Sequence, residues 1–500
     1  MDGARARCVW LWALFDLMLG GCIIIDSSGG SGTSGPPAGG SSSDGPVVAD
    51  VTGQITGTAG TAVADSSGSP PTTGITGADS SSEDDADSSG TGEQPACAPD
   101  CPTHAVDVVF VVDNSRTMGP DQRKLASAVD GLMDQLEQIQ LAEDLYFDLN
   151  LMVTTTDFGN PLCAAFRPPG YSPAQGEPVS SSCTSRLDDF TGLGGSPMFP
   201  EACTDECPVA VEPDDPFVHV VGPEDNVPGG SAREALRCLL PQGLVGCGYE
   251  STLETMLQAL DPAAAWNGGD EPFLRPGADL ALVLLTDESD CSIDDLSVME
   301  NAAYHNVDPD SGLAAPSSAL CWNAGVACDG PDPGGFYESC VLSVATPLHG
   351  VERYTQYLVD ELGGLQGKDV MMVAITGVPE VVAHAERPPF EPIEGGVDDL
   401  VIRDWIDGSW PAGDIVPDEW AMGIDAADKT FALGVGPGCT GMDGVGGYSQ
   451  GQPPLRIQAV CEALDDPTSP RCCMESVCEL DYADAMRCLG GLVQTSVQGS

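Results

Sequence analysis

Beyond residue 105 the sequence alternates short apolar runs with longer stretches of helical periodicity, and this alternation restricts the fold strongly. The runs at 106–112 and 279–285 contain almost no polar residues, as expected for strands buried on both faces of a parallel sheet. Further strands are predicted at 146–153, 217–221, 369–375 and 429–435, and helices at 121–139, 231–240, 250–260, 292–304, 350–362, 454–464 and 478–494. The pattern predicts an α/β fold with a doubly wound, mostly parallel sheet flanked by helices. Ligands of such folds bind at the carboxyl ends of the strands.

The N-terminal segment is typical of an exported protein. Arg5 and Arg7 precede an apolar stretch over 9–19, which predicts a signal peptide over residues 1–21. The sequence Leu19-Gly20-Gly21-Cys22 resembles a bacterial lipobox, and this resemblance implies cleavage before Cys22 and acylation of that residue. We therefore expect a lipid anchor in the cell envelope, at the outer membrane, on its periplasmic or surface face. An ordinary secretory signal followed by a chance cysteine is the alternative.

Residues 22–96 after the acylated cysteine are rich in Ser, Gly and Asp, and from 26 onward they contain no Lys or Arg. Such a segment cannot bury enough apolar surface to offset its ordering entropy, so a disordered linker is predicted. The whole chain carries a formal charge of −59, with 18 Lys and Arg against 77 Asp and Glu. This charge argues against nucleic-acid binding and against direct docking on anionic lipid. Solvation of the surface alone would also account for it.

The cysteines predict disulfides. Of the 20 cysteines, 18 lie between residues 97 and 488, an even number that suits an exported chain. Zinc is the alternative for the pairs Cys97-x3-Cys101 and Cys203-x3-Cys207 and for the group 472–478, but no matching His or Cys pair follows at finger spacing. Candidate disulfides are Cys238–Cys247, which flank a short turn, and Cys163–Cys183. We predict one domain over 97–500, with disulfide-stapled insertions at 160–230, 305–345 and 377–428.

Two motifs at predicted strand ends carry the functional hypothesis. Asp113-x-Ser115-x-Thr117 follows the first apolar strand, and Leu284-Leu285-Thr286-Asp287-Glu288 closes another. Over roughly 105–160, 245–295, 365–376 and 428–495, the chain resembles the von Willebrand factor A (VWA) and integrin I domains. That resemblance implies a metal-ion-dependent adhesion site (MIDAS) in which Ser115 and Thr117 coordinate a cation directly and Asp113 and Asp287 support it. Ligation by oxygen atoms suits Mg²⁺, Mn²⁺ or Ca²⁺.

The family's third hydroxyl ligand belongs at the start of a helix, and here the matching stretch is 246–254. Helical register, with Leu253 and Met256 as inward positions, favours Thr252, while Ser251 or Glu250 would also fit the place. Glu250 as the ligand would add a full negative charge to the site. The site would then attract a partner's carboxylate less strongly.

An enzymatic function is not predicted. Residues 447–451 fit the G-x-S-x-G pattern around Ser449, but Pro453 and Pro454 follow where a nucleophile elbow requires a helix, so a loop is predicted there. The preferred hypothesis is a cell-surface lipoprotein whose cation binds a carboxylate of a protein ligand, in adhesion or assembly. A structural envelope lipoprotein without a functional metal is the alternative, and a secreted hydrolase is the more distant one.

Overall fold

The structure is a computed structural model that describes residues 94–191, 198–405, 426–466 and 469–499. The predicted signal peptide, the acylated Cys22 and the predicted linker as far as residue 93 lie outside the described residues. Part of the predicted insertion at 377–428 also lies outside them. Everything below concerns the described residues.

The strands, in chain order, are β1 (Thr103–Val112), β2 (Tyr146–Thr155), β3 (Val218–Val221), β4 (Glu224–Asp225), β5 (Asp279–Leu285), β6 (Asn306–Val307), β7 (Ala314–Ala315), β8 (Val326–Cys328), β9 (Cys340–Leu342), β10 (Val370–Thr376), β11 (Val381–His384), β12 (Pro392–Gly395), β13 (Cys439–Met442), β14 (Tyr448–Gly451) and β15 (Cys472–Ser476). Seven of them form one sheet in the order β15-β10-β5-β1-β2-β3-β4. The first five strands in this order are parallel, and β3 and β4 join antiparallel at one edge.

The α-helices are α1 (Gly119–Glu143), α2 (Glu201–Thr204), α3 (Ala232–Leu239), α4 (Thr252–Ala259), α5 (Ala319–Gly325), α6 (Glu352–Thr355), α7 (Ala426–Leu433), α8 (Leu455–Glu462) and α9 (Ala483–Gly499). A π-helix over Gln356–Leu365 continues α6, and 3₁₀ helices span Pro161–Phe166, Cys183–Phe190, Ala265–Asn267, Leu296–Glu300, Ala302–Tyr304 and Gly396–Asp399. On one face of the sheet α1, α3 and α9 enclose an apolar core, and on the other α4, the π-helix and α8 enclose a second. The predicted α/β fold, a mostly parallel sheet with helices on both faces, is therefore confirmed.

Two predictions about single elements were wrong, and a strand of the sheet was missed. Residues 429–435 do not form a strand, since α7 covers Ala426–Leu433, because a short apolar run fits a helix as well as a strand. The edge strand β15 was missed, because a five-residue segment with two cysteines and a glutamate gives little periodic signal. The helix predicted at 292–304 is replaced by two short 3₁₀ helices.

Nine disulfides pair all 18 cysteines between Cys97 and Cys488. Disulfide bonding is thus confirmed, and the cysteines considered for zinc offer no free thiolate. The predicted partners were wrong: Cys163 bonds to Cys247, Cys183 to Cys203, and Cys238 to Cys207. Cys163 and Cys247 are 84 residues apart, yet their Cα atoms lie at 5.5 Å because the fold brings the two loops together.

Such a set of disulfides fits an exported protein. None of the helices in the described part of the chain is long and apolar enough to cross a bilayer.

Candidate metal centre

The parallel register brings the ends of the central strands to one level. Val112 of β1 pairs with Leu285 of β5 on one side and with Thr155 of β2 on the other, and Leu285 pairs with Ile375 of β10. Loops that follow these strands therefore meet at a single rim of the sheet. Both motifs identified in the sequence begin there.

Asp113 is fully buried and is held by both loops. Its backbone N–H donates to the carbonyl of Leu285 at 2.9 Å. Its carboxylate oxygens accept from the backbone N–H of Ser115 at 2.7 Å and from the hydroxyl of Thr286 at 2.7 Å. Thr286 therefore fixes the orientation of Asp113 from the neighbouring strand, a role that the sequence motif contained but did not assign.

The structure brings the other three motif residues to the same place. The Thr117 hydroxyl donates to Oδ2 of Asp287 at 2.8 Å, which links the β1–α1 loop to the loop after β5. The Ser115 Oγ and the Asp287 Oδ1 are buried and have no hydrogen-bond partner among the described residues. Two unpartnered oxygens thus lie in the two loops that the sequence analysis assigned to cation binding.

The loop before α4 packs against the same rim. The backbone N–H of Gly246 donates to the carbonyl of Asn114 at 2.8 Å, and that of Ser251 donates to the carbonyl of Thr156 at 3.0 Å. A Cβ atom at Gly246 would lie 2.2 Å from Oδ1 of Asn114, so the close approach of the two loops requires glycine. The Cys163–Cys247 disulfide ties this loop to the segment after β2.

The three candidates for the third ligand differ in their contacts. The Ser251 hydroxyl already donates to the carbonyl of Cys291 at 3.0 Å. The Thr252 Oγ1 and both carboxylate oxygens of Glu250 are buried without a hydrogen-bond donor in the described ranges. The Glu250 carboxyl lies close enough to that of Glu288 for a hydrogen bond between them when one is protonated. Glu250 and Thr252 are themselves fully buried. Their contacts leave both Glu250 and Thr252 available, and disfavour Ser251.

Four carboxylates share this rim, and burial raises the pKa of each. The pKa of Asp113 is raised to about 6, first by burial and then by the charge of Asp121. The pKa of Glu288 is raised to about 7 by burial and by Asp113. Burial, followed by repulsion from Glu288 and Asp113, raises the pKa of Glu250 well above its usual range, and Asp287 behaves in the same way. No basic side chain of the described residues contributes to any of these shifts.

Glu288 is the member of this cluster that sequence reasoning missed. Its only signal was its position next to Asp287 in the second motif, and adjacency does not show which way a side chain points. In the structure its negative charge raises the pKa of Glu250, of Asp287 and of Tyr249. The rim therefore combines concentrated negative charge with unpartnered hydroxyl oxygens.

This donor set fits a hard divalent cation. It consists of carboxylate and hydroxyl oxygens, which Mg²⁺, Mn²⁺ and Ca²⁺ prefer over nitrogen and sulfur. Buried polar atoms in proteins ordinarily have hydrogen-bond partners, so a group of unpartnered oxygens beside clustered carboxylates requires a physical explanation. A different cluster, Cys97 and Cys101 with Asp144, offers no such site because its two sulfur atoms form a disulfide.

The serine of the G-x-S-x-G pattern does not lie on a nucleophile elbow. Ser449 is in β14, which pairs antiparallel with β13, and α8 begins only at Leu455, beyond Pro453 and Pro454. The predicted loop is thus a strand of a hairpin. A strand that leads directly into a helix, which the elbow requires, is missing at Ser449.

Comparison with known proteins gave no assignment: no family model matches the chain, and no curated protein sequence is similar to it.

Proposed function

We propose that this protein is a lipid-anchored envelope protein with a VWA-like domain, which binds a divalent cation at the rim of its sheet and through it a carboxylate of a protein ligand. The observation that carries the proposal is the set of buried, unpartnered oxygens at the carboxyl ends of β1 and β5 and at the start of α4. Asp113, Ser115, Thr117 and Asp287 would hold the ion, with Thr252 or Glu250 as the further ligand. The order of the strands and helices around this rim is compatible with the VWA resemblance.

The residues of the rim have distinct parts in this function. Asp113, fixed by Thr286 and by the Ser115 backbone, is positioned to support the ion rather than to move. Thr117 is exposed, and its hydroxyl bonds to Asp287, so it lies where the site meets solvent. A bound divalent cation would supply the positive charge that neutralises the rim and attracts a partner's carboxylate. Because the rest of the protein is negatively charged, it would favour a partner whose acidic group is surrounded by basic residues.

Calorimetric titration of Mg²⁺, Mn²⁺ and Ca²⁺ into the full chain tests the proposal. We expect saturable binding by the wild type and its loss in the double variant Ser115→Ala, Thr117→Ala. A matched control, Ser185→Ala with Thr191→Ala, removes two hydroxyls that are already bonded, to Glu212 and to the carbonyl of Asp188, and is expected to bind like the wild type. Equal heats from the wild type and from the first double variant would contradict the metal site and leave a structural envelope role for the domain.

A further inference from the structure

A cleft of about 260 Å³ lies directly beside the candidate metal centre. Thr117 and Asp287 form part of its wall, so it opens onto the rim. The remaining walls come chiefly from α7 and the β13–β14 hairpin with Gln452, and the acidic residues Asp121, Glu288 and Asp443 also line the cleft. Its volume is below the ~300–1,000 Å³ typical of pockets for drug-sized ligands, and it therefore suits a short chemical group.

Gln452 lines this cleft and has an unpaired side-chain amide. The residue is only 4% exposed, and both its side-chain Nε2 and its Oε1 lack a hydrogen-bond partner in the part of the chain that the structure describes. Burying an amide without partners is unfavourable, so the group is expected to meet a ligand. The side chain offers two N–H donors and one carbonyl acceptor, which complement the C=O and N–H of a peptide group.

The backbone around Gln452 is firmly placed. Its N–H donates to the carbonyl of Asp287 at 2.7 Å, and its own carbonyl packs so tightly on Gly377 that a Cβ there would lie 2.1 Å away. The Cys439–Cys478 disulfide ties the hairpin to the end of β15. The backbone of Gln452 is thus held beside Asp287 by covalent and backbone contacts, which favours a preorganised binding site.

Other residues of the cleft lining supply further polar and charged groups. Ser449 Oγ and Gln450 Oε1, also in the cleft wall, are buried atoms without partners among the described residues. Lys429 and Trp405 also line the cleft, and the Lys429 ammonium lies 5.5 Å from the centroid of the Trp405 ring, a cation–π distance. Trp405 is oriented by its Nε1, which donates to the carbonyl of Val435 at 2.7 Å. The wall therefore offers a cation and apolar surface together.

We propose that this cleft binds one acidic residue in an extended segment of a partner protein. The carboxylate of that residue points toward the metal centre and Lys429, and the adjacent peptide group hydrogen-bonds to Gln452. The proposal rests on the proposed function, since the metal centre receives the carboxylate. It adds the ligand's second determinant, a peptide group next to the carboxylate. A free small molecule with the same two groups shares this chemistry, and the experiment separates the two sources.

The test is calorimetric titration of three probes into the full chain at saturating Mg²⁺: the blocked peptide acetyl-Gly-Asp-Gly-amide, its Asn counterpart, and N-acetylaspartate. We expect the Asp peptide to bind and to bind more tightly than N-acetylaspartate, and the Asn peptide not to bind. The variant Gln452→Leu should weaken the Asp peptide at least about 10-fold, which corresponds to ~1.4 kcal/mol. The control Gln458→Leu removes an amide that is already bonded to Glu462 and should leave the peptide affinity unchanged.

Further measurements make each outcome decisive. Gln452→Leu removes two unpaired polar atoms, so its melting temperature without ligand should be no lower than that of the wild type. If it fails to fold, Ser449→Ala in the hairpin serves instead, with an expected weakening of about 3-fold. Tighter binding of N-acetylaspartate than of the peptide, or equal peptide affinity in both Gln452→Leu and wild type, overturns the proposal. Wild-type Mg²⁺ binding without peptide binding defeats this proposal alone, whereas absence of Mg²⁺ binding defeats the proposed function itself.

Discussion

Two buried glutamates four residues apart, Glu250 and Glu254, should respond with opposite signs to the same substitution. Glu250 has no hydrogen-bond donor for either carboxylate oxygen among the described residues. Glu254 accepts from Arg353 at 2.9 and 3.1 Å and from the Tyr354 hydroxyl at 3.2 Å. Replacement of each by Gln preserves the shape and removes the charge. The comparison therefore isolates the electrostatic environment of each carboxylate.

The magnitudes follow from these contacts. Burial, and then the charges of Glu288 and Asp113, raises the pKa of Glu250 well above its ordinary value of 4.5. Leaving a buried polar group without partners costs roughly 1–3 kcal/mol, and more when the group is charged. Because Glu250→Gln removes the charge, it should stabilise the metal-free protein at pH 7 by roughly 1–3 kcal/mol. Glu254→Gln should destabilise it by a similar amount, about 1–3 kcal/mol, because it breaks a hydrogen-bonded ion pair with a partly exposed Arg353.

Denaturant unfolding of the full chain with a chelator present measures both effects, and calorimetry with Mg²⁺ gives the affinities. If Glu250 is a ligand, Glu250→Gln should also bind Mg²⁺ at least about 10-fold more weakly, equivalent to ~1.4 kcal/mol. Glu254→Gln should bind it as the wild type does. Destabilisation of the metal-free protein by Glu250→Gln would refute the reasoning about repulsion at the rim. Unchanged Mg²⁺ affinity would instead assign the third position to Thr252.

Other regions of the molecule give three further predictions. Replacing Cys163 and Cys247 by Ser should reduce the free energy of unfolding by roughly 4–5 kcal/mol, since the bond joins residues 84 apart. Denaturation curves of the oxidised variant and the oxidised wild type measure the difference, and coincident curves would contradict it. Thr286→Val removes the hydroxyl that orients Asp113 and should weaken Mg²⁺ binding about 10-fold in calorimetry, whereas wild-type affinity would show that Asp113 needs no such support. Burial raises the pKa of Glu479 from 4.5 to about 7, so its contribution to stability is complete below pH 4.5 and is lost as the pH rises through 7. The variant Glu479→Gln should therefore lose less stability between pH 5 and 8 than the wild type. Parallel profiles of unfolding free energy against pH would disprove this.

Much of the fold was readable from the sequence because the relevant signals are local. An unbroken apolar run such as 279–285 must be buried on both faces, and β5 has those same bounds, Asp279–Leu285. Where the local signal was ambiguous, the prediction failed. The run at 429–435 fits a strand or a helix equally well, and in the structure it belongs largely to helix α7, which packs against α5.

The residues of the candidate site were likewise predictable from the sequence only in part. The positions of Asp113, Ser115, Thr117 and Asp287 at strand ends followed from the motifs, because the carboxyl ends of adjacent parallel strands meet at one rim whatever the details of the loops. Glu288 and Gln452 did not follow. Nothing in the local sequence shows that Glu288 lies among other carboxylates, or that the Gln452 amide is left without hydrogen-bond partners among the described residues.

The sequence by itself determined the α/β class, the presence of disulfides, and the two acidic motifs at strand ends. Only the tertiary structure decided that Cys163 bonds to Cys247, that Ser251 is engaged by Cys291 while Thr252 and Glu250 are not engaged, and that Gln452 borders the rim. The physical reason is the range of the interactions. Periodicity and strand-end motifs depend on residues a few positions apart, whereas disulfide partners and hydrogen-bond satisfaction depend on atoms that come together only when distant segments pack.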